Sequence, residues 1–153
     1  MQINEQTEWP AAAQIDDFRE LLLKHARHPS HAGDPSSFTH RGTCKNPLCG
    51  DAVDVGVSVL DGRISQIQIQ SSGCGISIAS ASLMTEMVEG QTINDTLSNL
   101  DLFNEALLAS REAAWPERIS ALRPLSRLRE SPTRVPCALI GWFALKDALK
   151  RLL

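Results

Sequence analysis

The sequence predicts an α+β domain in which helices cover one face of a small antiparallel sheet of about three strands. The first observation is that residues 52–60 alternate apolar and polar side chains, and that Asp61-Gly62 separates them from a second alternating stretch. This pattern is typical of a β-hairpin with a two-residue turn. The second observation is that apolar residues in the flanking segments recur every three or four positions, as in amphipathic helices. A hairpin between helices predicts a sheet with one covered face.

Composition limits the class of protein. The chain has 153 residues, which fits a single domain over residues 1–153, and its 42% apolar and 22% charged residues are ordinary for a globular protein. A net charge of −3 argues against a general nucleic-acid binder, and no apolar run approaches the roughly 20 residues that span a bilayer. The N-terminus lacks the layout of a secretory signal. We therefore expect a cytoplasmic protein with no membrane partner, and a flexible N-terminus over residues 1–13.

The first helix and the loop after it precede the sheet. Residues 14–28 carry apolar side chains at helical spacing, and Pro29 ends that pattern. Residues 28–46 are rich in Pro, Gly, Ser and His, which predicts a loop, and we expect its end to supply a third strand. The hairpin strands follow at residues 52–60 and 64–70. We interpret the four histidines in or near the loop as solvated side chains rather than metal ligands: His25, His28, His31 and His40.

Two helices and a proline-rich segment follow the hairpin. Residues 76–88 predict a helix that ends near Gly90, and residues 92–111 predict a second. Prolines interrupt residues 115–133, so we expect a loop there with one short helical turn near residues 119–122. Pro136 is suited to the first turn of the last helix, whose basic end complements the helix dipole.

Cysteines are the residues most able to carry chemistry. In a reducing compartment they are core thiols, metal ligands or reactive thiols rather than a disulfide framework. Cys49 precedes the first hairpin strand and Cys74 follows the second. Because an antiparallel hairpin brings these two chain positions to one edge of the sheet, we expect Cys49, Asp51 and Cys74 to be neighbours. The chain has two further cysteines, Cys44 and Cys137. Of the four, Cys44 has the weakest case for a functional thiol.

Two of the thiols begin predicted helices. Cys74 precedes one helix and Cys137 lies at the start of another, where the partial positive charge of the helix end favours thiolate. Arg134, three residues before Cys137, would add positive charge. Three thiolates with the Asp51 carboxylate would suit a tetrahedral zinc or ferrous site. Spacing alone leaves open the alternative that these are ordinary buried cysteines.

Three segments carry a family resemblance: residues 46–51 (NPLCGD), 73–84 (GCGISIASASLM) and 134–145 (RVPCALIGWFAL). In this order and spacing they resemble the U-type iron–sulfur cluster assembly proteins, the SufU, IscU and NifU N-terminal family, and the likeness runs from about residue 15 to the C-terminus. The SufU branch is the most similar. It has an Arg three before its last Cys, as Arg134 is here, whereas the IscU branch has a His where Pro136 stands and a shorter connection than the 63 positions between Cys74 and Cys137.

The resemblance implies a SufE/NifU-like fold and a metal centre. Cys49, Asp51, Cys74 and Cys137 would be ligands of zinc, or alternatively of iron or an assembling [2Fe–2S] cluster, with Arg134 in support. It further implies that Cys137 accepts persulfide sulfur from a SufS-like cysteine desulfurase and that a downstream iron–sulfur scaffold or apo-proteins receive the product. A scaffold that builds a transient cluster and a purely structural zinc protein are the alternatives. The chain would be a sulfur acceptor or scaffold rather than a conventional enzyme, and a monomer or weak homodimer.

Overall fold

The computed structural model describes residues 11–110 and 112–153, with side chains from residue 18 onward. Its three strands form one antiparallel sheet in the order β1-β2-β3, so the predicted α+β class is confirmed. No helix in the described part of the chain is long and apolar enough to cross a membrane. The elements are α1 (Ala11–Arg27), β1 (His40–Asn46), β2 (Asp51–Leu60), β3 (Arg63–Ser72), α2 (Gly75–Val88), α3 (Ile93–Leu108) and α4 (Val135–Leu149), with short 3₁₀ segments between and after them.

The β2–β3 hairpin forms as its sequence predicts. Asp61 and Gly62 both have positive φ, at 56° and 75°, which is the backbone of a type I′ turn and matches the right-handed twist of the strands. Val55 pairs with Ile69, and Val57 with Ile67. These four side chains are buried on the inner face, because alternation along each strand directs them to the same side.

Helices α2 and α4 cover the inner face of the sheet. At Gly42 in β1, an added Cβ would overlap the backbone of Ala144 and Ala148 in α4, so the bare glycine allows helix and strand to meet backbone to backbone. Trp142 of α4 is fully buried, with its ring 5.7 Å from that of Phe103 in α3. The core therefore lies between the sheet and these helices, and α4 is fixed against β1.

Residues 31–33 cover the free edge of β3. Gly33 N–H donates to Ile69 O, and Ile69 N–H donates to His31 O. His31 also lies within hydrogen-bond distance of Thr85 in α2, and His25 is buried with its Nδ1 2.7 Å from Ser82 Oγ. The interpretation of the histidines as solvated is therefore wrong for His25, because α1 packs its side chain against α2. His31 is partly exposed and contacts α2.

The proline-rich segment differs from the predicted loop. Glu117–Glu130 forms a run of 3₁₀ turns, with a break in helical geometry at Ile119. A 3₁₀ helix has three residues per turn, so side chains three apart lie on one face, and Pro124 disfavours a continuous α-helix. The prediction of a single short turn was wrong because the apolar period in this segment is three: Ile119, Leu122, Leu125 and Leu128 are all buried.

The helix boundaries are close to those predicted. Helix α1 begins at Ala11, three residues before the expected start, and the first ten residues of the segment expected to be flexible lie outside the described residues. Helix α3 begins after Thr92, whose side-chain oxygen accepts a hydrogen bond from Asp95 N–H at 3.0 Å. This N-cap satisfies one of the free N–H groups of the first turn.

Substituting Thr92→Ala is expected to lower the free energy of unfolding by about 1 kcal/mol, because the capping oxygen is lost. Urea denaturation followed by circular dichroism measures the change. Thr39→Ala is the matched control, since Thr39 is exposed and its hydroxyl has no hydrogen-bond partner among the described residues. Equal stability of the two variants would show that the cap contributes nothing.

Candidate metal centre

Three chain segments meet at one end of the sheet. The β1–β2 turn carries Cys49, and Asp51 is the first residue of β2. Ala52 pairs with Ser72 near the end of β3, so Cys74, the residue before α2, returns to the same edge. The structure therefore brings together the three residues that the hairpin prediction placed as neighbours. The first turn of α4 adds Cys137, which the hairpin argument did not place at this edge.

The distances between the ligand atoms suit one small metal ion. Ligand atoms of Cys49, Asp51 and Cys137 all lie within 4.8 Å of one another, and among the described residues Cys74 is not part of this group. The two sulfurs, Cys49 Sγ and Cys137 Sγ, are 3.8 Å apart, and two sulfurs about 2.3 Å from a tetrahedral zinc would be separated by about 3.8 Å. Cys74 Sγ lies 3.5 Å from Asp51 Oδ2, which is about the spacing of a sulfur and an oxygen ligand on the same ion.

Backbone groups fix the Asp51 carboxylate. Asp51 is buried, its Oδ1 accepts the Cys74 N–H at 2.8 Å, and its Oδ2 faces the thiols. An added Cβ at Gly73 would collide with Asp51 Oδ1 and lie 2.7 Å from Asp51 Cα, and the φ of Gly73 is +119°. Only glycine can adopt this backbone conformation and also fit in the space beside Asp51. Gly73 was not assigned a role from sequence, although its place in Gly-Cys-Gly was the available signal.

Contacts within the site set the charge of Asp51. Burial by itself would raise the pKa of the carboxyl, but hydrogen bonds from Cys49 Sγ and from the backbone N–H of Cys74 outweigh it, and the pKa lies below its usual range. The site therefore holds a negatively charged oxygen among thiols, which is a donor set for a divalent cation.

Cys137 is the most enclosed of the thiols in this site. Its side chain is only 3% exposed, whereas Cys49 is exposed and Cys74 is half-buried. Burial raises the pKa of the Cys137 thiol well above its usual range, and the hydrogen bond to the Asp51 carboxylate and the electrostatic influence of the neighbouring Cys74 raise it further. The expectation that the helix start favours thiolate at Cys137 is thus wrong for the metal-free protein. Burial and the neighbouring Asp51 carboxylate outweigh the effect of the helix dipole.

Arg134 and Cys44 lie outside this cluster. Arg134 is exposed at the residue before α4. Its backbone N–H donates to Ser131 O, but its side chain makes no hydrogen bond or ion pair with any described residue, so its supporting role stays a prediction. Cys44, on β1, is half-buried against the hydrophobic core. Among the described residues, neither Cys44 nor Cys74 belongs to the group whose ligand atoms lie within 4.8 Å of one another, but Cys74 bonds Asp51 and Cys44 does not.

The three thiols and one carboxylate at one edge of its sheet place this small α+β domain in the class of candidate thiolate metal-binding proteins. Residues 17–152 match the family described as the NifU-like N terminal domain. The chain belongs to this family, and the resemblance to the U-type proteins is confirmed.

Individual relatives agree with this assignment. The chain is 30% identical over 134 residues to the iron–sulfur cluster assembly scaffold protein IscU of Streptococcus pyogenes, covering 88% of this chain and 83% of the relative. It is 25% identical over 136 residues to the zinc-dependent sulfurtransferase SufU of Bacillus subtilis, covering 88% and 90%. The crystal structure of the N-terminal NifU-like protein of Brucella abortus has the same fold, with a TM-score of 0.79 at 23% identity over 91% of this chain and 96% of that chain.

Proposed function

We propose that this protein acts in iron–sulfur cluster biogenesis as a zinc-dependent sulfur acceptor that takes persulfide sulfur from a cysteine desulfurase. The observation that carries the proposal is the convergence of Cys49, Asp51 and Cys137, with a sulfur–sulfur distance of 3.8 Å. The similarity to the zinc-dependent sulfurtransferase of Bacillus subtilis supports it.

The ligands of the zinc ion would be Cys49, Asp51, Cys74 and Cys137. When bound, zinc would supply the positive charge that keeps these thiols deprotonated. Asp51 is a harder donor than sulfur, and a mixed ligand set suits a site in which one thiol must leave the metal. Its backbone hydrogen bond from Cys74 keeps the carboxylate oriented while the thiols exchange.

The transfer step is a thiol–persulfide exchange. The Cys137 sulfur, as thiolate, attacks the terminal sulfur of the desulfurase persulfide and forms a new sulfur–sulfur bond. The bond within the donor persulfide breaks, and the donor cysteine leaves as thiolate, so the exchange needs no oxidant or reductant. The persulfide on Cys137 would then supply a downstream iron–sulfur scaffold or an apo-protein.

Access to Cys137 requires the site to open. Cys137 is buried beneath the β1–β2 turn, which carries exposed Cys49 and the 94% exposed side chain of Leu48. At Gly50 the turn has a φ of +74° with open space around it. We infer that this turn moves when a partner docks, with Leu48 as an apolar contact.

Assembly of a transient [2Fe–2S] cluster is the second candidate function. Three thiols in one site favour it, since cluster irons prefer thiolate ligands, and the Streptococcus pyogenes relative is named as a scaffold protein. In this case the cluster would be cargo, built at the site and passed to an apo-protein.

Metal content separates the two functions. The protein is purified both aerobically and anaerobically, and its zinc, iron and visible absorption are measured. We expect one zinc per chain, no cluster absorption, and faster turnover of a cognate desulfurase. A brown protein that passes its cluster to an apo acceptor would overturn the sulfurtransferase proposal in favour of the scaffold.

A further inference from the structure

The helices that follow Cys74 and carry Cys137 cross at close range. An added Cβ at Gly141 of α4 would lie 2.8 Å from Ala81 Cβ of α2, so the two backbones approach where only small residues fit. Ser80 lies at this crossing. Its side chain is 1% exposed, and its Oγ donates a 2.6 Å hydrogen bond to the carbonyl of Ala138.

The partner of this hydroxyl adjoins a proposed metal ligand. Ala138 follows Cys137 directly, and its carbonyl lies in the first turn of α4. A buried hydroxyl is costly unless it is hydrogen-bonded, and here the bond joins two helices rather than two turns of one. Movement of the start of α4 relative to α2 would break it.

A second serine of α2 lies between Cys74 and Ser80 in the chain. Ser77 is three residues from both Cys74 and Ser80, so it is a neighbour of each on the helix surface. The Ser77 hydroxyl donates to the Cys74 carbonyl at 3.0 Å. Two buried hydroxyls of α2 therefore bond backbone carbonyls at the site: Ser77 bonds that of Cys74, whose Sγ is also 4.0 Å from Ser77 Oγ, and Ser80 bonds that of Ala138, beside Cys137.

We propose that Ser80 is a positioning residue that holds Cys137 in place beside the other proposed ligands and thereby sets how long the site retains its metal. This inference rests on the proposed metal centre. The Ser80 hydroxyl makes no hydrogen bond to either thiol among the described residues, and it acts by fixing the first turn of α4 against α2. Loss of its hydroxyl would let Cys137 move away from the other ligands more often.

Ser82 offers a matched comparison on the same helix. It is fully buried, as Ser80 is, but its hydroxyl oxygen lies 2.7 Å from His25 Nδ1 and accepts the Ser30 N–H. Both partners belong to α1 or the loop after it, and neither belongs to α4. A role in general helix stability would be shared by the two serines, whereas a role in placing Cys137 belongs to Ser80 alone.

The test compares Ser80→Ala with Ser82→Ala in the full chain. Each protein is loaded with zinc, and metal release to a colorimetric chelator is timed. We expect release about tenfold faster from Ser80→Ala, as for residues that orient metal ligands, and a rate close to that of the unsubstituted protein from Ser82→Ala. With cobalt in place of zinc, only Ser80→Ala should change the thiolate-to-cobalt absorption.

Equal release rates and equal cobalt spectra for the two variants would overturn the positioning role. If Ser80→Ala fails to fold, Ser80→Thr and Ser80→Val replace it, because they share a shape and only threonine keeps the hydroxyl. Faster release from valine than from threonine supports the proposal, and equal release contradicts it. An unsubstituted protein that binds neither zinc nor cobalt would overturn the metal centre itself, a result distinct from equal rates in a protein that does bind.

Discussion

Replacing Cys137 by alanine is expected to abolish acceptance of persulfide sulfur, so that desulfurase turnover falls to the rate measured without the protein. The physical reason is that the proposed nucleophile is lost from the only enclosed thiol of the Cys49–Asp51–Cys74–Cys137 site. Enclosure protects a persulfide from solvent thiols, which the exposed Cys49 would not do. The measurement is alanine production by a desulfurase, together with mass spectrometry of persulfide on the acceptor chain.

Two variants make this result specific. Cys44→Ala removes a half-buried thiol outside the site and should leave sulfur acceptance unchanged. Cys49→Ala should weaken zinc retention while leaving the Cys137 thiol in place. If Cys137→Ala folds, as judged by circular dichroism, and still collects sulfur on another cysteine, Cys137 is not the acceptor.

Substitution of Gly73 by alanine is expected to weaken metal binding by about a hundredfold, the upper range for loss of groups that orient metal ligands. An added Cβ would collide with Asp51 Oδ1, and the φ of +119° disfavours any side chain. The Asp51 side chain would have to move. The hydrogen bond from Cys74 N–H that orients its carboxylate would then be lost. Titration with zinc against a competing chelator measures the affinity.

Gly90→Ala separates backbone strain from the collision. Gly90 also has a positive φ, at +88°, but a Cβ there would meet nothing within 4 Å. Both variants should be less stable to urea, since both place alanine in the left-handed region. Only Gly73→Ala should lose zinc. Similar zinc affinity in both would mean that the Asp51 carboxylate is not a ligand.

Most of the sheet could be predicted because its signals are local. The type I′ turn at Asp61-Gly62 depends on two adjacent residues, and alternation along β2 and β3 selects the buried face without reference to distant residues. The 3₁₀ run of Glu117–Glu130 was missed because three prolines in this region obscured a repeat of period three. The burial of His25 was missed because its partner, Ser82, is 57 residues away.

By itself, the sequence determined the three segments that build the candidate metal centre. It also placed Cys49, Asp51 and Cys74 at one edge, since a hairpin joins its own ends. Only the tertiary structure decided the rest. The packing of α4 against β1 and α2 brought Cys137 to within 3.8 Å of Cys49 and buried it. That burial, with the nearby Asp51 carboxylate, raises the pKa of Cys137, whereas the helix start was expected to favour its thiolate. Desolvation depends on every element packed around a group, but a helix dipole can be inferred from one segment of sequence.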